Sequence, residues 1–510
     1  MQRAMFAILA VVMCASLAPA QPASEPASQP TTRPMLGGSF IPVVTRADLA
    51  DAYVRLERAL HDHPPAADDL PRVSRAYDRA AMQFFTGRLS DAVATMNDLT
   101  DSLQPPAQRT DAQHADVAPV IRAIKVRVAP PVAMRGRPGA LRVKLSPLYP
   151  VPLDAPLPLR VVIRWRGENV VLDEPVEVRP DAALPMITRP QPENLNVGWY
   201  SVQLVDPKTN AAFDAGRWYV TETPLDVQRV ANERALLGVD TSDPALFQAL
   251  VAVHARNALL SDSPGESESA RFLVDPIALS RDVAGEINSL LHGRDPFKNR
   301  AGDYWRVIPA GTMQMPARIY APERALADGK PLPLLIALHG AGADENAFMD
   351  GYGGGEIKRL ADKHRFLVVS PSTYWCTPNP AALKGIIDTL AFDYPIDRSR
   401  VYLLGHSLGA LAAATMSQRD PDDVAAVALL AAKDFQPPAR QIPPTLLVAA
   451  QLDPVFDPLA LESAARRAQA AHLPVEFEMM HDYGHCNMPT AALPHAVDWL
   501  LAHRRGASKK

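Results

Sequence analysis

The most constraining stretch of this 510-residue chain is Gly405-His406-Ser407-Leu408-Gly409. The apolar run 401–404 precedes it, and a segment of small residues, with Ala410, Ala412, Ala413 and Ala414, follows it. A buried strand that turns at once into a helix leaves room only for small neighbours around the residue at the turn, and Gly405 and Gly409 meet that demand. Ser407 is then displayed at the end of a strand and at the start of a helix. There the free N–H groups and the helix dipole favour a developing negative charge. The pattern predicts Ser407 as a nucleophile.

The surrounding periodicity agrees. From residue 303 onward the chain reads strand, loop, helix, repeatedly. Residues 304–308 and 315–320 alternate as an antiparallel pair, whereas Leu334-Leu335-Ile336-Ala337-Leu338 is a continuous apolar run of the kind buried on both faces. Runs at 366–369, 401–404, 424–430, 445–449 and 475–479 follow, with helical stretches between them. The expected fold class is α/β, with a doubly wound, mostly parallel sheet.

A serine nucleophile needs an oxyanion site, a base and an orienting acid. The amide of Leu408 is one oxyanion donor, and that of Ala341, in His339-Gly340-Ala341-Gly342 after the strand 334–338, is the other, with Gly340 as the alternative. His339 is expected to orient this loop rather than to transfer protons. The base is expected beyond the last strand, where His485 is preferred to His481; Gly484 is expected to permit the turn that aims it at Ser407. Of the two carboxylates in Gln451-Leu452-Asp453-Pro454-Val455-Phe456-Asp457, Asp453 lies closer to its strand and is preferred to Asp457. Asp482 is too near His485 in sequence to orient it well. The expected triad is Ser407, Asp453 and His485.

These residues, together with Tyr394-Pro395-Ile396-Asp397 before the strand that leads to Ser407, carry a resemblance. Residues 303–503 resemble the α/β-hydrolase superfamily, and within it secreted esterases of the feruloyl esterase, acetyl xylan esterase and polyhydroxybutyrate depolymerase type. The resemblance implies hydrolysis of carboxylic esters through an acyl-enzyme, with no cofactor and no metal, on a small-molecule or polymeric ester. A serine peptidase of prolyl-oligopeptidase type is an alternative, although its customary β-propeller would need more strands than this chain offers upstream. A non-catalytic binding or scaffold protein is a second. Only residues 433–444 separate Ala432 from the next strand, so the domain is expected to lack a lid of its own and to leave a bare cleft unless upstream segments cover it.

The resemblance does not reach the first 300 residues. Arg3 and the apolar run 5–17, followed by Ala18-Pro19-Ala20, predict a signal peptide over residues 1–20 and a secreted or periplasmic protein with no membrane span after cleavage; Cys14 is a weaker lipidation candidate. Residues 21–44 read as a Pro/Ser-rich linker. Residues 45–118 read as a small helical bundle. Thr45 and Asp48 form a capping box there, Ser90 is a candidate cap, and Phe84-Phe85-Thr86-Gly87-Arg88-Leu89 resembles a tetratricopeptide turn without a second copy. Residues 119–225 alternate with period two and predict a β-sandwich, Ig-like, offering a carbohydrate or polymer contact. Residues 226–300 read as a helical connector and 301–505 as the catalytic domain. Gly353-Gly354-Gly355 lacks the lysine of a phosphate loop and reads as a flexible lead-in to a helix. The net charge of −4 on a mixed surface gives no footprint for nucleic acid. Cys376 and Cys486 would both lie at the carboxyl edge of the sheet, so a disulfide between them and two separate thiols are both open.

Overall fold

A computed structural model of the chain describes residues 34–37, 42–104, 117–262, 275–433, 435–436 and 442–506. The expected signal peptide, with Cys14, and most of the expected linker lie outside the described residues. Among those described, no helix is long and apolar enough to cross a membrane. Part of the expected linker is docked: Met35 and Leu36 bridge to Pro152 and Pro180, and Leu36 is buried.

Three helices come first: α1 (Arg46–Asp62), α2 (Leu70–Phe85) and α3 (Leu89–Leu103). The Thr45–Asp48 capping box opens α1, and Gly87, at φ +78°, takes the turn between α2 and α3. Ser90 does not cap α3; its hydroxyl donates instead to the Leu148 carbonyl, at 2.6 Å. Eight strands follow: β1 (Ile124–Ala129), β2 (Val132–Met134), β3 (Ala140–Pro147), β4 (Leu157–Trp165), β5 (Asn169–Val178), β6 (Met186–Pro190), β7 (Gly198–Val205) and β8 (Ala212–Thr221). They form a three-stranded sheet, β1-β3-β6, and a five-stranded sheet, β2-β8-β7-β4-β5. Arg166 and Gly167, both at positive φ, turn the β4–β5 hairpin.

The packing departs from a chain of separate modules. Leu56, Tyr77, Val93 and Leu99 of the helices share one buried cluster with Val126, Leu145, Val161, Tyr200 and Trp218 of the two sheets. The boundary expected near residue 118 is therefore not a break in the core. The stretch expected as a helical connector contains α4 (Leu225–Leu236), α5 (Pro244–Asn257) and α6 (Pro276–Leu291), which pack against the large sheet. Leu250, Val253, Val283 and Ile287 pack in one cluster with Tyr304 and Ile308 of the large sheet. Arg256, only 2% exposed, donates to Glu286 and to the Trp305 carbonyl, which ties α5 and α6 to that sheet.

The large sheet contains β9 (Gly302–Ala310), β10 (Met313–Ala321), β11 (Leu332–Leu338), β12 (Leu367–Pro371), β13 (Ile396–His406), β14 (Ala426–Leu430), β15 (Thr445–Ala450) and β16 (Val475–Met480). Its eight strands lie in the order β16-β15-β14-β13-β11-β12-β10-β9. β9 and β10 are antiparallel, as are β10 and β12; every other pairing is parallel. Helices pack on both faces. Residues of α8 (Ala382–Asp393), α9 (Leu408–Arg419) and α10 (Pro458–Ala470) join the cluster on one side, and those of α7 (Tyr352–His364) and α11 (Met488–Leu501) fill the cluster on the other. The chain order reverses between β11 and β13, since β12 lies outside β11 and β14 to β16 lie outside β13. A crevice at the carboxyl ends of strands opens where such a sheet reverses. Ser407 stands there, directly after β13.

Candidate active site

The turn at Ser407 is built as close packing requires. Ser407 sits at φ +56° and ψ −114°, a backbone conformation that costs a side-chain-bearing residue about 1–3 kcal/mol. A Cβ on Gly405 would lie 2.1 Å from the Gly409 carbonyl oxygen, and one on Gly409 would lie 1.8 Å from that of Leu338. Backbone cannot yield at such distances. Gly409→Ala is accordingly expected to destabilise the protein by about 3 kcal/mol or more, read as a lower midpoint in urea unfolding. A midpoint equal to wild type would show that α9 does not seat this closely on β11.

Asp453 and His485 meet. The His485 Nδ1–H donates to Asp453 Oδ2 at 2.7 Å, and both side chains are nearly excluded from solvent. The other carboxylate oxygen, Oδ1, accepts from the amides of Val455 at 2.7 Å and Phe456 at 3.0 Å, so the loop after β15 fixes the carboxylate. Burial alone would lower the His485 pKa, but the charge and hydrogen bond of Asp453, with the charge of Asp78 behind them, raise it above the usual imidazole value. The alternatives stand elsewhere. Asp457 caps α10 by accepting from the Leu459 amide at 2.9 Å, while His481 and Asp482 are exposed.

Gly340 backs onto the serine: a Cβ there would lie 3.3 Å from Ser407 Cβ. Ala341 is the next residue, and Leu408 opens α9, so its N–H precedes the intrahelical ladder. The loop is braced from beneath. His339 is buried; its Nδ1–H donates to the Gly340 carbonyl at 2.9 Å and its Nε2 accepts from the Thr373 amide at 3.0 Å. Burial holds its pKa low, so both nitrogens serve as fixed struts. The Gly342 amide donates to the Tyr374 hydroxyl at 2.7 Å.

Three residues belong to this site that sequence reasoning overlooked. His406 is one: with its Nε2–H it donates to the His485 carbonyl at 3.0 Å, and its Nδ1 accepts from the Tyr352 hydroxyl at 2.8 Å. Phe84, at the end of α2, is another. Its ring lies against the loop 339–342, where a Cβ on Gly342 would come within 2.5 Å of it. Ser407 itself is 4% exposed. The proviso attached to the bare cleft applies, since Phe84 and Arg46 of the upstream helices reach the loop 339–342 at Gly342. The third is Asp78, whose carboxylate accepts from the main chain of the His485 loop.

Some expectations need correction. Gly484 is not the turn residue; Asp482, at φ +65°, makes the turn after β16. Gly484 is needed because a Cβ there would lie 2.2 Å from Asp78 Oδ2. Gly353, Gly354 and Gly355 are not a flexible lead-in either. All three sit at positive φ, and the Gly353 amide donates to Glu57 Oε2 of α1 at 3.0 Å. Cys376 and Cys486 are free thiols. Cys376 is buried among α8 and α9 residues, with its pKa pushed to about 12, while Cys486 packs against the core shared by the first three helices and the two upstream sheets.

Known proteins resemble the chain in fold over part of its length. Its structural neighbours are serine hydrolases and esterases. Fluorophosphonate-binding serine hydrolase F of Staphylococcus aureus is 17% identical over 39% of this chain and 99% of its own, with a TM-score of 0.34. An S-formylglutathione hydrolase from Agrobacterium tumefaciens is 14% identical over 40% of this chain and 96% of its own, with a TM-score of 0.33. A ferulic acid esterase is 15% identical over 40% of this chain and 99% of its own, with a TM-score of 0.33. No protein-family model matches the chain, and no curated protein matches it.

Proposed function

We propose that this chain is a carboxylic ester hydrolase that works through an acyl-enzyme on Ser407. The observation that supports the reading is the Asp453–His485 pair, 2.7 Å apart in the loops after β15 and β16 of the same sheet whose β13 leads into Ser407, a serine held in a strained turn. In this mechanism Ser407 Oγ attacks the acyl carbon while His485 Nε2 takes its proton. Asp453 holds His485 in the tautomer that leaves Nε2 free to do so. The Leu408 and Ala341 amides donate to the tetrahedral oxyanion; the struts beneath residues 339–342 keep the second in place beforehand, and the start of α9 the first. His485 then gives its proton to the leaving alcohol. Water, deprotonated by His485, attacks the acyl carbon in its turn; the acyl–Oγ bond breaks and Ser407 recovers a proton.

The substrate class is a small-molecule or polymeric ester, and the site of action is secreted or periplasmic, in keeping with residues 1–20. The β-sandwich is the candidate carbohydrate or polymer contact. A peptidase gated by a propeller is less favoured, since among the described residues the upstream strands form one three-stranded and one five-stranded sheet that share a core with the helices. The test compares hydrolysis of a p-nitrophenyl ester series with that of peptide anilides. The reading expects kcat/KM for the best ester to exceed that for any anilide by about 100-fold or more, because p-nitrophenoxide leaves unprotonated whereas the anilide nitrogen must first be protonated. Efficient anilide cleavage with negligible ester turnover would contradict it.

A further inference from the structure

We infer that Asp78, on a helix some 400 residues away in sequence, is a positioning residue for His485, so that the active site is completed by the N-terminal helical hairpin. The inference rests on the ester-hydrolase reading above and extends it. Asp78 is 4% exposed. Its Oδ2 accepts from the His485 amide at 3.1 Å and its Oδ1 from the Cys486 amide at 2.8 Å. A single carboxylate thus holds two consecutive N–H groups of the loop that carries the imidazole.

Ser74, one helical turn earlier on α2, extends the grip. Its hydroxyl donates to the Asp482 carbonyl at 2.8 Å and accepts from Asn487 Nδ2 at 2.9 Å. Asn487 in turn accepts from the Gly484 amide at 3.0 Å. Gly484 has no Cβ, which is what allows Asp78 to approach. The far side of His485 is fixed by the catalytic domain itself, where His406 binds its carbonyl. His485 is therefore held at its N–H from α2, at its carbonyl from β13 and at its ring from the loop after β15. Removing the first anchor frees the loop to pivot on the other two, and a displacement near 1 Å of a reacting group costs about 100-fold in rate.

Asp78 also faces His485 electrostatically. The titratable groups around the imidazole are Asp453, Asp78 and His406, with Cys486 beside Asp78 and Glu57 behind it. The carboxylates at 453 and 78 favour the imidazolium, so removing one lowers the His485 pKa. The base must be neutral to act; its acid limb then moves to lower pH.

The test measures p-nitrophenyl acetate hydrolysis across pH for Asp78→Asn, Ser74→Ala and Gly484→Ala in the full chain. Ser407→Ala serves as the blank, and active sites are counted by fluorophosphonate titration. Asp78→Asn turns an acceptor into an NH2 facing an N–H. It is expected to keep KM and to lose roughly 10- to 100-fold in kcat per active site. Its acid limb should fall below that of wild type. Ser74→Ala and Gly484→Ala disturb the same grip while keeping the charge, so each should lose kcat with a smaller displacement of the limb. They carry the test if Asp78→Asn does not fold. The inference is overturned by variants whose kcat per active site stays within about twofold of wild type with an unmoved limb, including the case where activity falls only because less protein is folded. Full activity in Ser407→Ala is a different result: it removes the ester-hydrolase reading, and this inference with it.

Discussion

Ser407→Ala is expected to lower ester hydrolysis by about ten-thousandfold or more while the protein stays folded, the largest effect the proposed mechanism predicts. Loss of a triad nucleophile leaves only binding and oxyanion stabilisation, which is why the drop spans several powers of ten. The fold is spared because alanine keeps the Cβ and the φ of +56° that the turn imposes. The strain remains in Ser407→Ala and is relieved in Ser407→Gly, which should be more stable than the alanine variant by about 1 kcal/mol. Initial rates on a p-nitrophenyl ester, with chemical unfolding of each variant, check both points. Activity within about tenfold of wild type in Ser407→Ala would remove the serine from the chemistry.

Asp453→Asn should cost about ten-thousandfold in kcat, whereas Asp457→Asn should change it less than about twofold. The two residues stand four apart, yet their surroundings differ. Asp453 Oδ2 faces His485 Nδ1, and Oδ1 is already fixed by two amides. An asparagine there would keep its carbonyl on those amides and present NH2 to the ring, forcing the imidazole to accept at Nδ1 and to carry its proton on Nε2. That tautomer cannot take the proton of Ser407. Asp457 only caps α10, and asparagine caps a helix about as well. Steady-state kinetics on the two purified variants decide the matter. A crippled Asp457→Asn beside an active Asp453→Asn would reverse the assignment of the acid.

Much of the catalytic half was legible in the sequence because its signals are local. Continuous apolar runs mark strands buried on both faces, as in β11, and the glycines around Ser407 report a clash that any side chain would cause. The Asp453–His485 contact could be reached because both residues follow strands that end on one edge of one sheet. The partnership with the first hundred residues could not. Asp78 reads as one more polar position on an amphipathic helix, and nothing near it signals a partner 407 positions later. Gly484 reads as a turn in the sequence because a glycine's need for close approach looks the same as its need for positive φ. The stretch 226–300 reads as helical, but nothing in it signals the sheet that α4, α5 and α6 cover, so it reads as a connector. The two cysteines end loops on one sheet edge, yet their side chains enter different cores. Loop direction is set by packing that spacing does not encode.

In the proposed reaction the serine at the β13–α9 turn is the nucleophile of an acyl-enzyme. The most direct measurement is fluorophosphonate labelling of the purified protein followed by peptide mapping by mass spectrometry. The account predicts one adduct per chain, on Ser407, formed in step with the loss of ester hydrolysis and absent from Ser407→Ala. An active protein that takes no label, or takes it on another residue while hydrolysis is lost, would contradict it.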